Sequence, residues 1–196
     1  SRDIRNRGYD CTAIRLPGKT YAVIINGNKD LKSNRESYWN DCSFLYTTLR
    51  NYYKIPRANI SVIMSDGKDP GADITMEDNS VVSSPLDLDG DGTDDIDYAA
   101  TKENIKAVFS GLSNRIYSSD HLLVFIVGHG YKDQASYISL WGNEGKLYPQ
   151  ELSDYVKDIK AGYMTFVLGQ CYSGGFVDAL QADNRLVLAA CGKDEK

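Results

Sequence analysis

Apolar residues in this chain fall in short, nearly unbroken runs, separated by longer segments in which apolar positions recur every three to four residues. The runs cover 20–25 (TYAVII), 59–64, His121–Val127 (HLLVFIV), Tyr163–Leu168 (YMTFVL) and 186–190. Their shortness and their β-branched content predict strands, and their lack of polar alternation predicts strands covered on both faces. The first is followed by Asn26-Gly27-Asn28, which reads as a turn, the alternative being that Asn26 orients His129. Residues 38–53 place Trp39, Cys42, Leu45, Tyr46 and Leu49 on one helical face before Pro56, with Asn40 or Asp41 as an early cap. Residues 101–117 predict a second helix capped by Thr101, residues 149–159 a third, and residues 136–141 a further short strand. Strands alternating with amphipathic helices predict an α/β domain over 1–196: three layers, with helices on both faces of a mostly parallel sheet. Residues 66–98, rich in Asp, Gly, Ser and Pro, read as a polar, acidic insertion loop.

Composition narrows the partners. The 196 residues carry a net charge of −5 with no Lys/Arg block, which excludes a phosphate-tracking nucleic-acid surface. No apolar run reaches the roughly 18 residues that a membrane span needs. The N-terminal stretch has neither an initiator Met nor an apolar signal core, as expected of a mature or trimmed product in a secreted or cell-envelope (periplasmic) setting. Cys11, Cys42, Cys171 and Cys191 are widely spaced and there are two histidines, a poor basis for a zinc site. Cys42 and Cys191 read as small hydrophobes in apolar surroundings, and a Cys11–Cys42 pair stays open.

The chemistry lies at strand ends. His129 and Cys171 each follow a buried strand at its carboxyl end, the edge where open α/β sheets place their sites. If the two strands are neighbours, both side chains leave the sheet roughly 5 Å apart and face one cleft. Glycines flank both: Gly128 and Gly130 on one side, Gly169, Gly174 and Gly175 on the other. They permit sharp exits and leave backbone N–H groups open to a substrate. Residues 172–178 read as the start of a helix whose free N–H groups would favour a thiolate and an oxyanion. Taken singly, each residue reads as an ordinary loop histidine or strand-end thiol, whereas together they read as a catalytic pair. His121 enters its strand at the opposite end and reads as structural.

These segments resemble the legumain family of cysteine peptidases, in a bacterial-type form: Tyr21-Ala22-Val23-Ile24-Ile25-Asn26-Gly27, Trp39-Asn40-Asp41-Cys42, Val127-Gly128-His129-Gly130 and Leu168-Gly169-Gln170-Cys171-Tyr172-Ser173-Gly174-Gly175. That family is grouped with caspases, gingipains and clostripain. The resemblance implies a caspase-like fold, a Cys171 nucleophile, His129 as general acid and base, and an oxyanion hole from the N–H groups of Gly130 and Cys171. It implies an endopeptidase acting on peptide or protein substrates through an acyl-enzyme, with no cofactor required. The substrate pocket departs from the family. Where plant and animal members carry an Arg-His pair, this chain reads Arg35-Glu36-Ser37-Tyr38, and where clostripain-like members carry Asp it has Gly169. Arg35, Asp194 and Glu195 are the candidates to line it, a solvated tail being the other reading of the last two. Caspase-like domains add at least one more strand after the fifth, so the resemblance implies a further C-terminal part: processing after Lys196 would place it on a separate small subunit, and a second chain or a sequence cut short there is the alternative.

The acidic loop offers a second chemistry. Asp87, Asp89 and Asp91 occupy the first, third and fifth positions of a calcium-type loop with Gly92 at the sixth, and Tyr98 stands where a bidentate Glu is expected. Asp95 or Asp97 would then complete a structural calcium site; a solvated acidic loop is the alternative. For the whole chain, two other functions stand beside the endopeptidase: a transpeptidase, in which an amine takes the acyl group, and a catalytically silent binding domain with a calcium-stabilised loop.

Overall fold

The computed structural model describes residues 18–142 and 145–196, so Cys11 lies outside the described residues. The chain starts at the centre of the main sheet with β1 (Thr20–Asn26), whose alternate residues go to opposite cores. Ala22 and Ile24 pack with Cys42, Tyr46 and Leu49 of the helical segment that follows, while Tyr21, Val23 and Ile25 face the other way, toward Phe109 and Phe166. That segment is α1 (Glu36–Thr47), continued as one π-helical turn to Tyr52. Its first turn lies further upstream than the cap expected at Asn40 or Asp41. Arg35 takes the extended N-cap conformation without a side-chain cap, and both residues fall inside the helix.

The chain then forms β2 (Ile60–Met64), a small antiparallel hairpin of β3 (Ile74–Thr75) and β4 (Val81–Val82), α2 (Lys102–Ser113) and β5 (His121–Val127). Thr101 caps α2, its hydroxyl accepting the Asn104 N–H at 3.3 Å. Next come β6 (Gly130–Lys132), β7 (Ser136–Ser139) and β8 (Lys146–Leu147), which form a separate antiparallel sheet, then α3 (Pro149–Val156) and β9 (Tyr163–Leu168). Last come α4 (Val177–Leu180) and β10 (Arg185–Ala189).

The main sheet has the order β10-β9-β5-β1-β2 with every pairing parallel. With one core on each face of it, the domain is the expected three-layer, caspase-like α/β arrangement. Among the described residues no helix is long and apolar enough to cross a membrane.

The polar stretch 66–98 is more ordered in its packing than a solvated insertion. Ile74, Leu88 and Ile96 are buried, and Asp73, fully buried, accepts the Ser84 N–H at 2.6 Å and the Ser84 hydroxyl at 2.8 Å. Asp66, one residue past the fully covered Ser65, is pushed up to about 7 by burial and by the neighbouring Asp73 and Asp69 carboxylates. Its folded pKa lies above the ordinary 3.8. The folded chain therefore holds a proton that the unfolded chain has lost, and the resulting stability fades as pH rises from the ordinary value through the folded one. Asp66→Asn is expected to raise the thermal midpoint over wild type by a margin that grows from about pH 4.5 to about pH 8. A margin independent of pH would reject this account.

Candidate active site

Strands β5 and β9 are direct neighbours, with Ile126 opposite Leu168, so the residues that leave their carboxyl ends emerge side by side. Gly130 lies against the Cys171 loop: a Cβ built on it would stand 1.9 Å from the Cys171 carbonyl oxygen and 2.8 Å from the Gln170 Cγ. Only glycine permits that approach, and it brings the His129 and Cys171 segments into contact. Tyr38, from α1, completes the group. Its ring meets the His129 ring edge-on at 5.5 Å, and a charge on Cys171 is felt at the Tyr38 hydroxyl, which burial already pushes up.

His129 is partly buried, and this desolvation lowers its pKa below the ordinary histidine value. A hydrogen bond to the Ser33 backbone opposes the shift, Arg35 reinforces it, and Asp30 opposes it again. Burial thus favours the neutral imidazole.

The loop after Cys171 is tightly held. Tyr172 sits in the left-handed region at φ 58°, and its N–H donates to the Glu195 carbonyl at 2.7 Å. The Gly174 N–H donates to the Cys191 carbonyl at 3.0 Å, and the buried Ser173 hydroxyl accepts the Cys191 N–H at 3.2 Å. A short 3-10 turn, Ser173–Phe176, leads into the single turn of α4, so the helix expected after the cysteine is only a stub. Cys42, Cys171 and Cys191 are free thiols; burial raises Cys42 far out of the reactive range, as expected of a core cysteine.

For the oxyanion candidates, the ladder between β6 and β7 is informative. The Ser139 N–H donates to the His129 carbonyl at 3.0 Å, and Gly130 stands opposite Ile138, one residue along. Antiparallel ladders bond alternate pairs, so the Gly130 N–H is turned away from β7.

The pocket candidates separate. Arg35 is exposed beside His129 and lines a cleft of about 200 Å³ with Glu36, Ser37, Thr75, Met76 and Glu77. Asp194 instead pairs with Lys132, and the Glu195 carboxylate accepts the Gly192 N–H at 2.8 Å, closing the turn that supports Tyr172. In the acidic loop, Asp87, Asp89 and Asp95 offer oxygens within 4.8 Å of one another. Asp91 is exposed and caps the Thr93 N–H at 2.8 Å, while Asp97 is taken by Arg57 at 2.7 Å, so these two stand outside that group.

Sequence reasoning weighed Asn26 as an orienting partner of His129 but preferred a turn, and it did not find the asparagine cluster that lies behind the histidine. Asn26, Asn28 and Asn34 are all fully buried, and the Asn28 side chain, rather than a turn at Asn26, meets the histidine loop. The signal was present only as an unusual density of asparagine after β1.

Comparison with curated proteins found no match. The model of the Peptidase C13 family matches residues 20–196, every strand of the sheet and both strand-end segments included. The chain therefore belongs to the Peptidase C13 (legumain) family of cysteine peptidases.

Proposed function

We propose that this peptidase cleaves internal peptide bonds with Cys171 as nucleophile and His129 as general acid and base. The observation that carries the reading is the approach of Gly130 to the Cys171 carbonyl, with both segments leaving adjacent parallel strands. His129 takes the thiol proton, the Cys171 sulfur attacks the scissile carbonyl, and the oxyanion is met by the N–H groups of Gly130 and Cys171. The imidazolium then protonates the leaving amine as the C–N bond breaks, and water, deprotonated by His129, releases the acyl group. A peptide bearing an electrophile in place of the scissile bond tests this. Mass addition at Cys171, absent in Cys171→Ala, is expected, and labelling that favours Cys191 would reject it.

Arg35 and its cleft are proposed to hold substrate, since Arg35 is close enough to influence His129. Among the described residues, the β10 edge of the sheet carries no further strand, which supports a small-subunit partner. On β10, Leu186 and Leu188 are 40% and 48% exposed, apolar positions that a further covering element would bury.

The acidic loop is proposed to take a structural calcium ion through Asp87, Asp89 and Asp95. One Asp89 oxygen is buried without a hydrogen-bond partner, and burial together with Asp95, Asp91 and Asp87 raises the Asp89 pKa. A divalent cation would relieve that repulsion. Calorimetry is expected to show calcium binding that Asp89→Ala abolishes; no heat from the parent protein would reject the site.

A further inference from the structure

The order in which strands are added to the main sheet reverses between β1 and β5, because the chain leaves β1 for β2 on one side and returns to β5 on the other. At such a switch point the loops after the two strands part and leave a crevice. Here the crevice is filled by amides. The Asn28 Oδ1 accepts the His129 main-chain N–H at 2.8 Å. The Asn28 N–H donates to the Ser139 carbonyl at 2.8 Å, and the Ser139 N–H donates to the His129 carbonyl at 3.0 Å. Asn28, Ser139 and His129 thus form a closed ring that fixes both peptide faces of the histidine.

The Asn28 side chain is itself held on its other side. Its Nδ2 donates to the Asn26 Oδ1 at 3.0 Å and to the Asn34 Oδ1 at 3.1 Å. Asn26 Nδ2 donates to the same Asn34 oxygen at 3.2 Å, and Asn34 Nδ2 donates to Ser65 Oγ at 2.6 Å and to the Asp73 carbonyl at 2.9 Å. Four segments of the chain are tied together by groups with no access to water. Burying this many amides is tolerable only because each is bonded, and a bonded buried network is rigid. Asn28 also sits at φ 78°, where asparagine is one of the few side chains tolerated, and a Cβ on Gly128 would stand 3.1 Å from its Oδ1.

We infer that Asn28 is a positioning residue for catalysis: by gripping the His129 main chain it sets the line along which the imidazole approaches Cys171 and the leaving amine. This rests on the peptidase reading above. A histidine free to shift by an ångström would still support the fold but would deliver its proton poorly, and proton delivery matters most when the leaving group is an amine. An ester of the same peptide, whose alkoxide leaves more readily, is less dependent on it.

The test compares matched peptide amide and ester substrates in Asn28→Gly, which keeps the backbone conformation and removes the amide, and in Asn28→Asp, which keeps the acceptor and loses the two donated bonds. In Asn28→Gly, kcat on the amide is expected to fall roughly tenfold or more with KM little changed, and the ester to lose clearly less. The chain has two histidines, so the His129 imidazole can be followed by NMR titration once His121→Gln has assigned the pair. A displaced titration in Asn28→Gly, with partial recovery of both readouts in Asn28→Asp, supports the assignment. If Asn28→Gly does not fold, Asn28→Asp alone is expected to show a smaller change in the same direction. An amide-to-ester ratio and a His129 titration equal to wild type in whichever variant folds would overturn it. A wild-type protein that cleaves neither substrate and is not labelled at Cys171 would instead overturn the peptidase reading and this inference with it.

Discussion

Cys171→Ala is expected to lower kcat by roughly 10⁴-fold or more while leaving the thermal midpoint within a few degrees of wild type. The thiol is only partly buried, so its loss removes little packing. His129→Ala should lose a comparable factor, because a neutral thiol without a base is a poor nucleophile toward an amide and a departing amine without an acid returns to the acyl group. In the proposed mechanism the two residues serve one proton itinerary, so the double variant is expected to be no slower than the slower single variant. Independent contributions would multiply instead, and a double variant slower than either by the product of both factors would show that the residues do not act as a pair. Steady-state rates of all three variants, with active-site titration to exclude wild-type carry-over, decide between the two.

How much of this was legible in the chain follows from what each element buries. β5 and β9 have the bounds read from their apolar runs, His121–Val127 and Tyr163–Leu168, because central parallel strands must be apolar on both faces and cannot imitate loops. His129 and Cys171 drew attention for the same reason, since both sit where those runs stop. The start of α1 was misplaced because asparagine and aspartate signal a cap by composition, whereas here Arg35 fills that position by backbone geometry alone. The loop after β1 was read as a turn for a related reason. Asparagine is usually exposed, and only a bond that spans 101 residues, from Asn28 to His129, reveals that it is buried to hold a partner. The β3–β4 hairpin is two residues per strand, too short for any alternation to register. In the acidic loop the spacing drew attention to Asp97, but Arg57 reaches it from a part of the sequence that no local motif includes.

Gly130→Ala is expected to damage both activity and stability. Two of the three atoms nearest the new Cβ belong to the Cys171 backbone, at 1.9 and 2.9 Å, so no side-chain rotation relieves the clash. Neither backbone can readily retreat. The nucleophile loop is anchored by Gly169 N–H to the Ile126 carbonyl at 2.8 Å and by Tyr172 N–H to Glu195 at 2.7 Å, and the histidine side is anchored through Ser139 and Asn28. The strain must open the distance between His129 and Cys171. A misplacement on the order of 1 Å costs about 100-fold in rate, so kcat/KM should fall at least that far. The overpacking should remove roughly 1–3 kcal/mol of stability. Gly111→Ala supplies the contrast: Gly111 lies within α2 with nothing within 4 Å of the added carbon, and the substitution should raise stability by about 0.5–1 kcal/mol with no effect on rate. Thermal melts and kcat/KM on both variants read the difference. Equal and small effects would mean that the glycine after the histidine does not touch the nucleophile, and the geometry on which the catalytic pair rests would fall with it.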